Sequence, residues 1–423
     1  MLNNMELCVM KQKKIKRRGF LKLSGLMAGG LAVFGGFKLL KDDIFNQKIS
    51  PSQALSQSAA MGEIAVQLQK TNVFIHGLTQ DHDMEAAVIN AAQAATDFGW
   101  LKTGQVVFIK TVNNSGFSYP STTSPIAVSA MIKLLKQKGA ERVIVGDMSG
   151  IEHLKFFKEK TIGSTRELMK ASGMLQAIEA AGGEPFFFEE SGWDSFYQDH
   201  TDTNALWDTG LMMPAILKKV DHIVLMPRCS RHVLAGASLG LKAVVGYWRT
   251  DTRLQYHYHA KLLQERTAEG NRAKTLLDKQ RLVISTGDKL LATFGPDNGY
   301  VHTPSVGLVI ASESVVAHDM VSLAWLLHNR TLLPEKEQDR FMDTSTAVAK
   351  VGNNIVVKWL GTLTNSLMSE SLLKNDLKHI WDDRVLNHAY KIFGGIPDIH
   401  LENVQNTVSE KILNMLLKMV QYR

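Results

Sequence analysis

The chain reads VVFIK at 106–110, SPIAVSAMIKLLKQK at 124–138 and RVIVGD at 142–147, with polar loops between these segments. The first and third segments are short and largely apolar, which is typical of strands buried on both faces of a parallel sheet. The middle segment has apolar residues at helical spacing, and it begins with Ser124 as a cap and Pro125 at the first helical position. The pattern therefore predicts a strand, a helix and a second strand parallel to the first.

The same alternation continues on both sides of this unit. Further candidate strands are NVFIHGL (72–78), DHIVLM (221–226), RLVISTG (281–287) and SVGLVIAS (305–312). Segments with helical spacing lie between them, which favours an α/β fold: a mainly parallel, doubly wound, Rossmann-like sheet with helices on both faces. This domain is predicted to span residues 71–330. Residues 331–423 are richer in helical pattern, and we expect them to form a mainly helical C-terminal extension.

Charge is distributed unevenly along the 423 residues, whose formal net charge is +7. Residues 1–60 hold ten Lys and Arg against three acidic residues, which accounts for the whole excess. The other 363 residues hold 38 residues of each sign. A folded nucleic-acid-binding domain normally carries its own basic surface, so this distribution argues against nucleic acid as a partner.

The basic N-terminal segment reads KQKKIKRRGFLK at 11–22, with Arg17 and Arg18 adjacent, and an apolar, glycine-interrupted stretch follows. This resembles the twin-arginine (Tat) export signal. The resemblance implies recognition by the twin-arginine translocation machinery and a periplasmic or other extracytoplasmic location. We predict a signal over residues 1–45 and a flexible linker over 46–70. An uncleaved signal would be a membrane anchor, which is the alternative and the only membrane contact expected.

Cysteine content and glycine motifs limit the possible cofactors. Cys8 and Cys229 are the only cysteines and there is no C-x-x-C motif, so no ferredoxin-type iron–sulfur cluster is expected. The chain also lacks a G-x-x-x-x-G-K-[ST] phosphate loop and a G-x-G-x-x-G turn after a strand. The identity of any cofactor therefore stays open.

Polar side chains follow several of the predicted strands. Lys110 and Asn113 follow the first strand of the unit above, Asp147 ends the second, and Arg228 follows DHIVLM. Ligands of open α/β sheets bind beyond the carboxyl ends of the strands, so these side chains are expected to line one cleft. The segment 312–314, Ser-Glu-Ser, follows a later strand and is a fourth candidate.

The run VDHIVLMPRCSRHVLAGASLGLKAVVG (220–246) resembles the signature of the family named domain of unknown function 362. In that family a strand leads to a Pro-Lys-x-Lys-x-His loop and a Leu-Lys-Asn-Gly helix. VVFIKTVNN, the helix–strand segment ending at RVIVGD, and GPDNGYVHTPSVGLVIASESVVAHD (295–319) fit the same family in the same order. The resemblance covers roughly residues 71–330. The family name records no established activity.

The resemblance implies a set of functional polar positions: Lys110, Asn113, Asp147, His232, Lys242 and Asp319. The chain departs from the family pattern at Arg228, Ser230, Ala243 and Ser314, where the family has Lys, Lys, Asn and Asp. The two serines each lack a charge that the family usually keeps, which weakens any metal or acid–base role that depended on it. Some relatives also carry a cysteine-rich ferredoxin-like module, which is absent here.

The basic loop also indicates a function without the family. Arg228, Arg231, His232 and Lys242 lie within fifteen residues, and a helix beginning near Ala235 would place exposed backbone N–H groups beside them. A carboxylate or phosphate ligand would suit such a cationic rim. The alternative is that the arginines pair with surface carboxylates and the lysine is solvated. The sequence favours neither interpretation over the other.

We therefore predict a cleft that binds a small anionic ligand or cofactor through Lys110, Asn113 and Arg228, with Asp319 behind them. Whether the protein is an enzyme stays open. In an enzyme, His232 or Asp147 would accept a proton and Lys242 would stabilise a developing oxyanion. The alternative function is a non-catalytic interaction protein, periplasmic or membrane-tethered, that is an accessory of a redox system.

Two further possibilities involve cysteine and histidine. Cys229, flanked by basic residues, is a candidate nucleophile, although a lone cysteine is more often inert. Tyr256-His257-Tyr258-His259 would place both histidines on one face if extended, and His302 and His318 are further possible metal ligands. No recognised metal-binding motif supports this arrangement, so no metal site is predicted.

Overall fold

The computed structural model describes residues 69–78, 83–203, 206–207, 209–338 and 343–421. All of them belong to one compact unit. The predicted signal, with Arg17 and Arg18, and nearly all of the predicted linker lie outside the described residues. None of the helices in the described ranges combines the length and apolar character needed to cross a bilayer.

The strands of the described residues are β1 (Gln69–Leu78), β2 (Val106–Lys110), β3 (Arg142–Asp147), β4 (Lys155–Phe156), β5 (Thr161–Ile162), β6 (Glu184–Phe187), β7 (Phe196–Asp199), β8 (Leu211–Pro214), β9 (His222–Leu225), β10 (Ser230–His232), β11 (Gly236–Ser238), β12 (Gln280–Thr286), β13 (Leu290–Leu291), β14 (Val301–His302), β15 (Gly307–Ser312) and β16 (Pro397–Asn403). The α-helices are α1 (Met84–Ala95), α2 (Pro125–Gln137), α3 (Thr165–Ala171), α4 (Met174–Ala180), α5 (Thr250–Tyr258), α6 (Leu263–Gly270), α7 (Lys274–Lys279), α8 (Val315–Arg330), α9 (Glu335–Gln338), α10 (Ala347–Leu360), α11 (Leu363–Met368), α12 (Arg384–Ile392) and α13 (Glu410–Val420). Short 3-10 segments span Phe188–Ser191, Ala215–Lys218, Leu241–Tyr247, Ala260–Leu262, Ile380–Asp382 and Val404–Asn406.

An eight-stranded sheet lies at the centre, in the order β16–β1–β15–β12–β9–β2–β3–β6. Seven of its strands run in one direction, and β15 runs antiparallel to both of its neighbours. A second, four-stranded sheet has the order β11–β10–β13–β14. The mostly parallel sheet covered by helices confirms the predicted fold class.

In the segment 106–147, on which the fold prediction was based, apolar side chains of β2 are buried on both faces of the sheet. In β2, Val107 and Ile109 face a cluster that includes α1 and α2, and Phe108 faces a second cluster on the other side of the sheet. A strand with apolar side chains on both faces gains stability from both layers. Helix α2 begins as expected: the Ser124 side chain accepts a hydrogen bond from the Ala127 backbone N–H, and Pro125 follows.

The direction of β15 corrects one expectation. β15 runs opposite to the other strands of the sheet. Its carboxyl end therefore lies beside the amino ends of the other strands, on the side of the sheet away from the carboxyl ends of β2, β3 and β9. The segment 312–314 was expected to join the cleft at those strand ends, and this is wrong. Ser314 instead caps α8, accepting a hydrogen bond from the Ala317 N–H.

One local secondary-structure prediction is also wrong. The helix expected from Ala235 to Val245 is replaced by β11 and the 3-10 segment Leu241–Tyr247. Gly236 has φ +95° and pairs with His232 across a tight hairpin, a conformation that favours glycine over residues with a side chain. The extended conformation in which His257 and His259 would share a face does not occur, since Tyr256, His257 and Tyr258 lie on helix α5.

The C-terminal region, residues 331–423, contains a strand of the central sheet in addition to the expected helices. β16 pairs in parallel with β1, and so forms an edge of the central sheet. Leu413, Leu416 and Val420 of α13 belong to the same apolar cluster as Val73 of β1 and Ile310 of β15. Residues of the 331–423 region therefore share the core of the α/β domain.

This shared core leads to a stability prediction. Replacing the fully buried Leu416 by alanine should lower the free energy of unfolding of the whole unit by about 2–5 kcal/mol, because a cavity would form beneath the sheet. Replacing Asn414, which is exposed on the same helix, by alanine should change the free energy of unfolding by less than about 0.5 kcal/mol. The measurement is thermal and denaturant unfolding followed by circular dichroism. A separate early transition in the Leu416 variant, with the main transition unmoved, would contradict the shared core.

Candidate functional site

A buried ion pair joins the carboxyl ends of β2 and β3. Lys110 is the last residue of β2 and Asp147 the last of β3, and the two strands are parallel neighbours. Lys110 Nζ lies 2.8 Å from Asp147 Oδ1, and both side chains are almost completely buried. Lys110 Nζ also donates a hydrogen bond to the Thr111 carbonyl at 2.6 Å. The charge of each partner is thus compensated inside the protein.

Asn113 supports this pair from the loop after β2. Its backbone N–H donates to Asp147 Oδ2 at 2.6 Å, and its side-chain amide donates to Thr111 Oγ1 at 2.7 Å. Asn113 is therefore a positioning residue for Asp147. It was predicted to contact a ligand, but it is not among the residues that line the cavity described below.

Arg228 enters the site from the loop after β9. It donates to the backbone carbonyls of Ser121 and Pro296 and, through Nε, to Ser238 Oγ at 3.2 Å. No carboxylate pairs with it among the described residues. Burial lowers the pKa of Arg228 to about 10, although nearby Asp297 and Asp147 oppose the shift. The guanidinium is therefore a buried cation held by neutral carbonyl and hydroxyl oxygens.

His232 ends β10 and has a defined protonation pattern. Its Nδ1 lies 3.2 Å from the Leu234 N–H and 3.4 Å from the Ala235 N–H, so Nδ1 accepts and the proton lies on Nε2. Burial holds the pKa of His232 well below its usual value, and the charges of Lys242 and Arg228 lower it further. A histidine with a lowered pKa is a weak base, so the structure favours His232 as a hydrogen-bond donor over the predicted role of proton acceptor. It is a neutral residue with one N–H to donate.

Lys242 lies on the 3-10 segment Leu241–Tyr247, whose start is fixed by Asp319. The two carboxylate oxygens of Asp319 accept the backbone N–H groups of Gly240 at 2.8 Å and Leu241 at 2.7 Å. His318 Nδ1 lies 2.8 Å from Asp319 Oδ1 as well. Both oxygens of Asp319 are therefore occupied by backbone hydrogen bonds. Contrary to expectation, Asp319 does not line the same cavity as Lys110.

The Lys242 side chain is partly buried and has no hydrogen-bond or ion-pair partner among the described residues. Its pKa is lowered to about 7, first by burial and then by the positive charges of Arg228, Arg253 and Lys110. Asp147 opposes this shift, but it already pairs with Lys110. Near neutral pH, Lys242 therefore exists as a mixture of charged and neutral amine.

Arg253 is a further buried cation of the site that the sequence did not indicate. It extends from α5 and donates to the carbonyls of Met148 at 2.8 Å, Ser149 at 2.7 Å and Val245 at 3.2 Å. These bonds tie the loop after β3 to the 3-10 segment. An arginine in the polar helix TDTRLQYHY looks like a solvated residue in the sequence, so no local signal distinguishes it.

These side chains enclose a cavity with a water-accessible volume of about 50 Å³. The cavity is lined by Lys110, Val112, Asn114, Asp147, Met148, Arg228, His232, Ser238, Lys242, Ala243, Val245, Gly246 and Arg253. Four of these residues are cationic and one is a carboxylate. The structure thus brings together five of the residues singled out in the sequence: Lys110, Asp147, Arg228, His232 and Lys242.

A second, smaller cavity of about 20 Å³ lies on another side of Lys242. It is lined by the carboxyl groups of Asp319 and Asp383 and by apolar residues such as Leu323 and Leu386. Asp383 caps α12 by accepting the backbone N–H of Val385 at 2.6 Å, and burial raises its pKa to about 7. This second cavity has room for about one water molecule.

The cysteine and histidine candidates lie in other environments. Cys229 is buried, its thiol faces the Ser322 carbonyl, and burial raises its pKa, so a reactive thiolate is disfavoured. His257 Nδ1 lies 2.8 Å from Asn353 Oδ1. Among the described residues, the potential ligand atoms of Glu152, His153 and Asp297 instead lie within 4.8 Å of one another. The ion pair of His153 with Asp297 at 2.8 Å accounts for their proximity.

The family resemblance is supported by direct comparison. A family model described as "Domain of unknown function (DUF362)" matches residues 107–324, just over half of the chain. The chain belongs to this family. The DUF362 region contains β2 except for Val106, the Lys110–Asp147 pair and every residue that lines the larger cavity.

Other comparisons give limited similarity. The lactate racemase apoprotein from Thermoanaerobacterium thermosaccharolyticum is a solved structure with 13% sequence identity and a TM-score of 0.38. The match covers 60% of this DUF362 chain and 55% of the racemase chain. Comparison with curated proteins finds no match.

Gly246 provides a test of how closely the site is packed. A methyl group there would overlap the Asp147 carboxylate and the Lys110 ammonium group, so Gly246→Ala should lower the free energy of unfolding by about 1–3 kcal/mol. Gly352 lies within α10, where a methyl group meets only Leu234 at 3.7 Å. Gly352→Ala should raise stability by about 0.5–1 kcal/mol. Equal effects in chemical denaturation would argue against the close approach at the ion pair.

Proposed function

We propose that this protein binds a small anion, a carboxylate or a phosphate-like group, in the cavity at the carboxyl ends of β2, β3 and β9. The observation that carries the proposal is the imbalance of charge: Arg228, Arg253 and Lys242 line the cavity without a carboxylate partner among the described residues. Charges removed from water are costly unless they are paired. A bound anion would offset that cost.

The lining also offers hydrogen-bond donors of the required kind. Lys242 Nζ, the Nε2–H of His232 and the Nη2 group of Arg228 donate to no described residue. Charged and neutral N–H donors of this type form strong hydrogen bonds to anionic oxygens. Donors from three separate segments can therefore converge on one ligand.

The volume of the cavity favours a small ligand. About 50 Å³ of water-accessible space corresponds to about four water molecules. A tetrahedral oxyanion or a two- or three-carbon carboxylate is of that size. Nucleotides and other large ligands would need the lining residues to move apart.

The site also supports acid–base chemistry, with a revised assignment of roles. Asp147 is held by Lys110 and the Asn113 N–H, and His232 Nδ1 already accepts backbone hydrogen bonds. Lys242 has a pKa of about 7, close to the optimum for a group that exchanges protons at neutral pH. In an enzyme, Lys242 would be the proton acceptor, and Arg228 and His232 would stabilise developing negative charge.

A non-catalytic interaction protein is the second candidate, and an exposed apolar surface favours it. On α10, Val348, Val351 and Ile355 are each more than one-third exposed. On α11, Leu367 and Met368 are each 59% exposed. Large exposed apolar patches often mark protein contacts. The cationic cavity supports the anion-binding proposal more specifically, because it contains charges that a ligand would neutralise.

Sulfate is a suitable probe of the anion site, because its charge is constant between pH 6 and pH 8. We expect measurable sulfate binding by calorimetry, with an affinity that falls about tenfold over this range as Lys242 loses its proton. Bound sulfate should raise the pKa of Lys242, so binding near pH 7 should be accompanied by proton uptake.

The variant Lys242→Met should weaken sulfate binding at pH 6 by about tenfold or more and remove most of the pH dependence. Lys133→Met is the matched control, because Lys133 is an exposed lysine that pairs with Glu85 on the helical face. It should bind sulfate as the unmodified protein does. If the two variants bind sulfate equally well with the same pH dependence, the anion site is not where we place it.

We further propose that the twin-arginine machinery exports the protein, on the basis of Arg17 and Arg18 in KQKKIKRRGFLK. Changing both arginines to lysine conserves charge and should abolish the extracytoplasmic fraction of the full chain. A control that changes Lys13 and Lys14 to arginine should be exported normally. Fractionation with immunodetection measures the distribution, and normal export of the Arg17/Arg18 variant would exclude this route.

A further inference from the structure

Two lysines line the larger cavity, and their surroundings differ. Lys110 Nζ pairs with Asp147 at 2.8 Å, donates to the Thr111 carbonyl and lies 5.1 Å from the centre of the Tyr247 ring. Lys242 Nζ has no acceptor among the described residues, although it lines the same cavity. Lys110 is thus a structural cation, and Lys242 has an amine free to react.

Positive groups surround the Lys242 amine on the side of the larger cavity. They come from three separate elements: Arg228 from the loop after β9, Arg253 from α5 and Lys110 from β2. His257, also on α5, lies near enough for its charge state to be coupled to that of Lys242. Neighbouring cations favour the neutral form of an amine, which is the nucleophilic form.

The acidic groups near Lys242 are already engaged. Asp147 pairs with Lys110, and both oxygens of Asp319 accept backbone N–H groups. Asp383 lines the smaller cavity, where it caps α12 and burial favours its neutral form. None of these carboxyl groups forms an ion pair with Lys242 that would hold it in the protonated state.

We propose that Lys242 forms an imine with the aldehyde or ketone group of a small oxo acid, whose carboxylate is bound by Arg228 and the Nε2–H of His232. This inference rests on the proposed anion site and specifies its substrate class. An oxo acid combines the anionic group that the cations favour with a carbonyl carbon that an amine attacks. The geometry that points to it is a single unpaired amine beside a guanidinium in a small cavity.

The reaction balances without any further reagent. The lone pair of neutral Lys242 Nζ attacks the carbonyl carbon, and a C–N bond forms while the C=O π electrons move to oxygen. A proton moves from nitrogen to that oxygen, giving a carbinolamine. A second proton transfer from nitrogen to the hydroxyl group then allows the C–O bond to break, and water leaves with formation of the C=N bond. The product is an imine that hydrolyses by the reverse steps.

Glyoxylate is the probe of choice, because it is the smallest anionic aldehyde and suits a cavity of about 50 Å³. The full chain is incubated with glyoxylate and sodium cyanoborohydride at pH 7, which reduces an imine to a stable secondary amine. Intact mass spectrometry measures the number of adducts, and peptide mapping locates them. We expect one adduct, at Lys242, formed at least about tenfold faster than adducts at the exposed Lys133 of the same molecules.

Three comparisons make the result specific. Lys242→Arg retains the positive charge but has no nucleophilic amine, so it should lose the fast adduct and keep the unfolding transition of the unmodified protein. Excess sulfate should slow labelling of Lys242 but not of Lys133. Acetaldehyde, which lacks a carboxylate, should label Lys242 at least about tenfold more slowly than glyoxylate.

The possible failures are distinguishable. Equal labelling of Lys242 and exposed lysines, or an unchanged fast adduct in Lys242→Arg, would overturn the imine proposal. If sulfate binds in calorimetry and glyoxylate gives no selective adduct, the anion site stands and imine formation is excluded. If Lys242 is labelled selectively but sulfate neither binds nor competes, the assignment of an anion site fails and the oxo-acid proposal fails with it.

Discussion

The buried pair of Lys110 and Asp147 is the interaction on which the site depends. Two buried charges lose more free energy of hydration than they gain from mutual attraction, unless further hydrogen bonds satisfy their remaining donors and acceptors. Here the Thr111 carbonyl and the Asn113 N–H supply those bonds. Since the two charges lie on adjacent parallel strands, the pair also fixes where the loops leave the sheet. Those loops carry Val112, Asn114 and Met148 of the cavity lining.

The other cations are held in place by neutral groups. Arg228 and Arg253 donate mainly to backbone carbonyls, which orient the guanidinium groups but leave their net charge. A sequence selected only for stability would pair such charges or replace them with apolar side chains. Departures from that rule concentrate at functional sites, where a ligand completes the interactions. The uncompensated charge is therefore an argument for function that does not depend on family membership.

The sequence predicted the parts of the fold that depend on local patterns. β2, α2 and β3 followed from their apolar spacing, and Lys110 and Asp147 were expected to meet because parallel strands end at one edge. The reversal of β15 was not predictable, since a buried strand is continuously apolar in either direction. Arg253 could not be found either, because it reaches the cavity through the packing of α5, more than one hundred residues from Asp147.

The wrong helix prediction at 235–245 shows how the site is built. Gly240 lies in the middle of this stretch and Gly246 just beyond it, and neither has room for a side chain: a methyl group on Gly240 would meet Asp319 and Val315, and one on Gly246 would meet the Lys110–Asp147 pair. In the structure, β11 and a 3-10 segment occupy this stretch in place of the helix.

Asp319 holds the start of the segment between the two glycines by accepting two backbone N–H groups, and Asp147 lies close to Gly246 at its end. Both carboxylates are consumed by backbone N–H groups or by Lys110, so neither neutralises Lys242 between them. Asp319 thus holds the backbone next to Lys242, while the Lys242 amine stays unpaired among the described residues. A held backbone with an unpaired amine needs little reorganisation when a ligand arrives, which is the usual requirement for an effective binding or catalytic group.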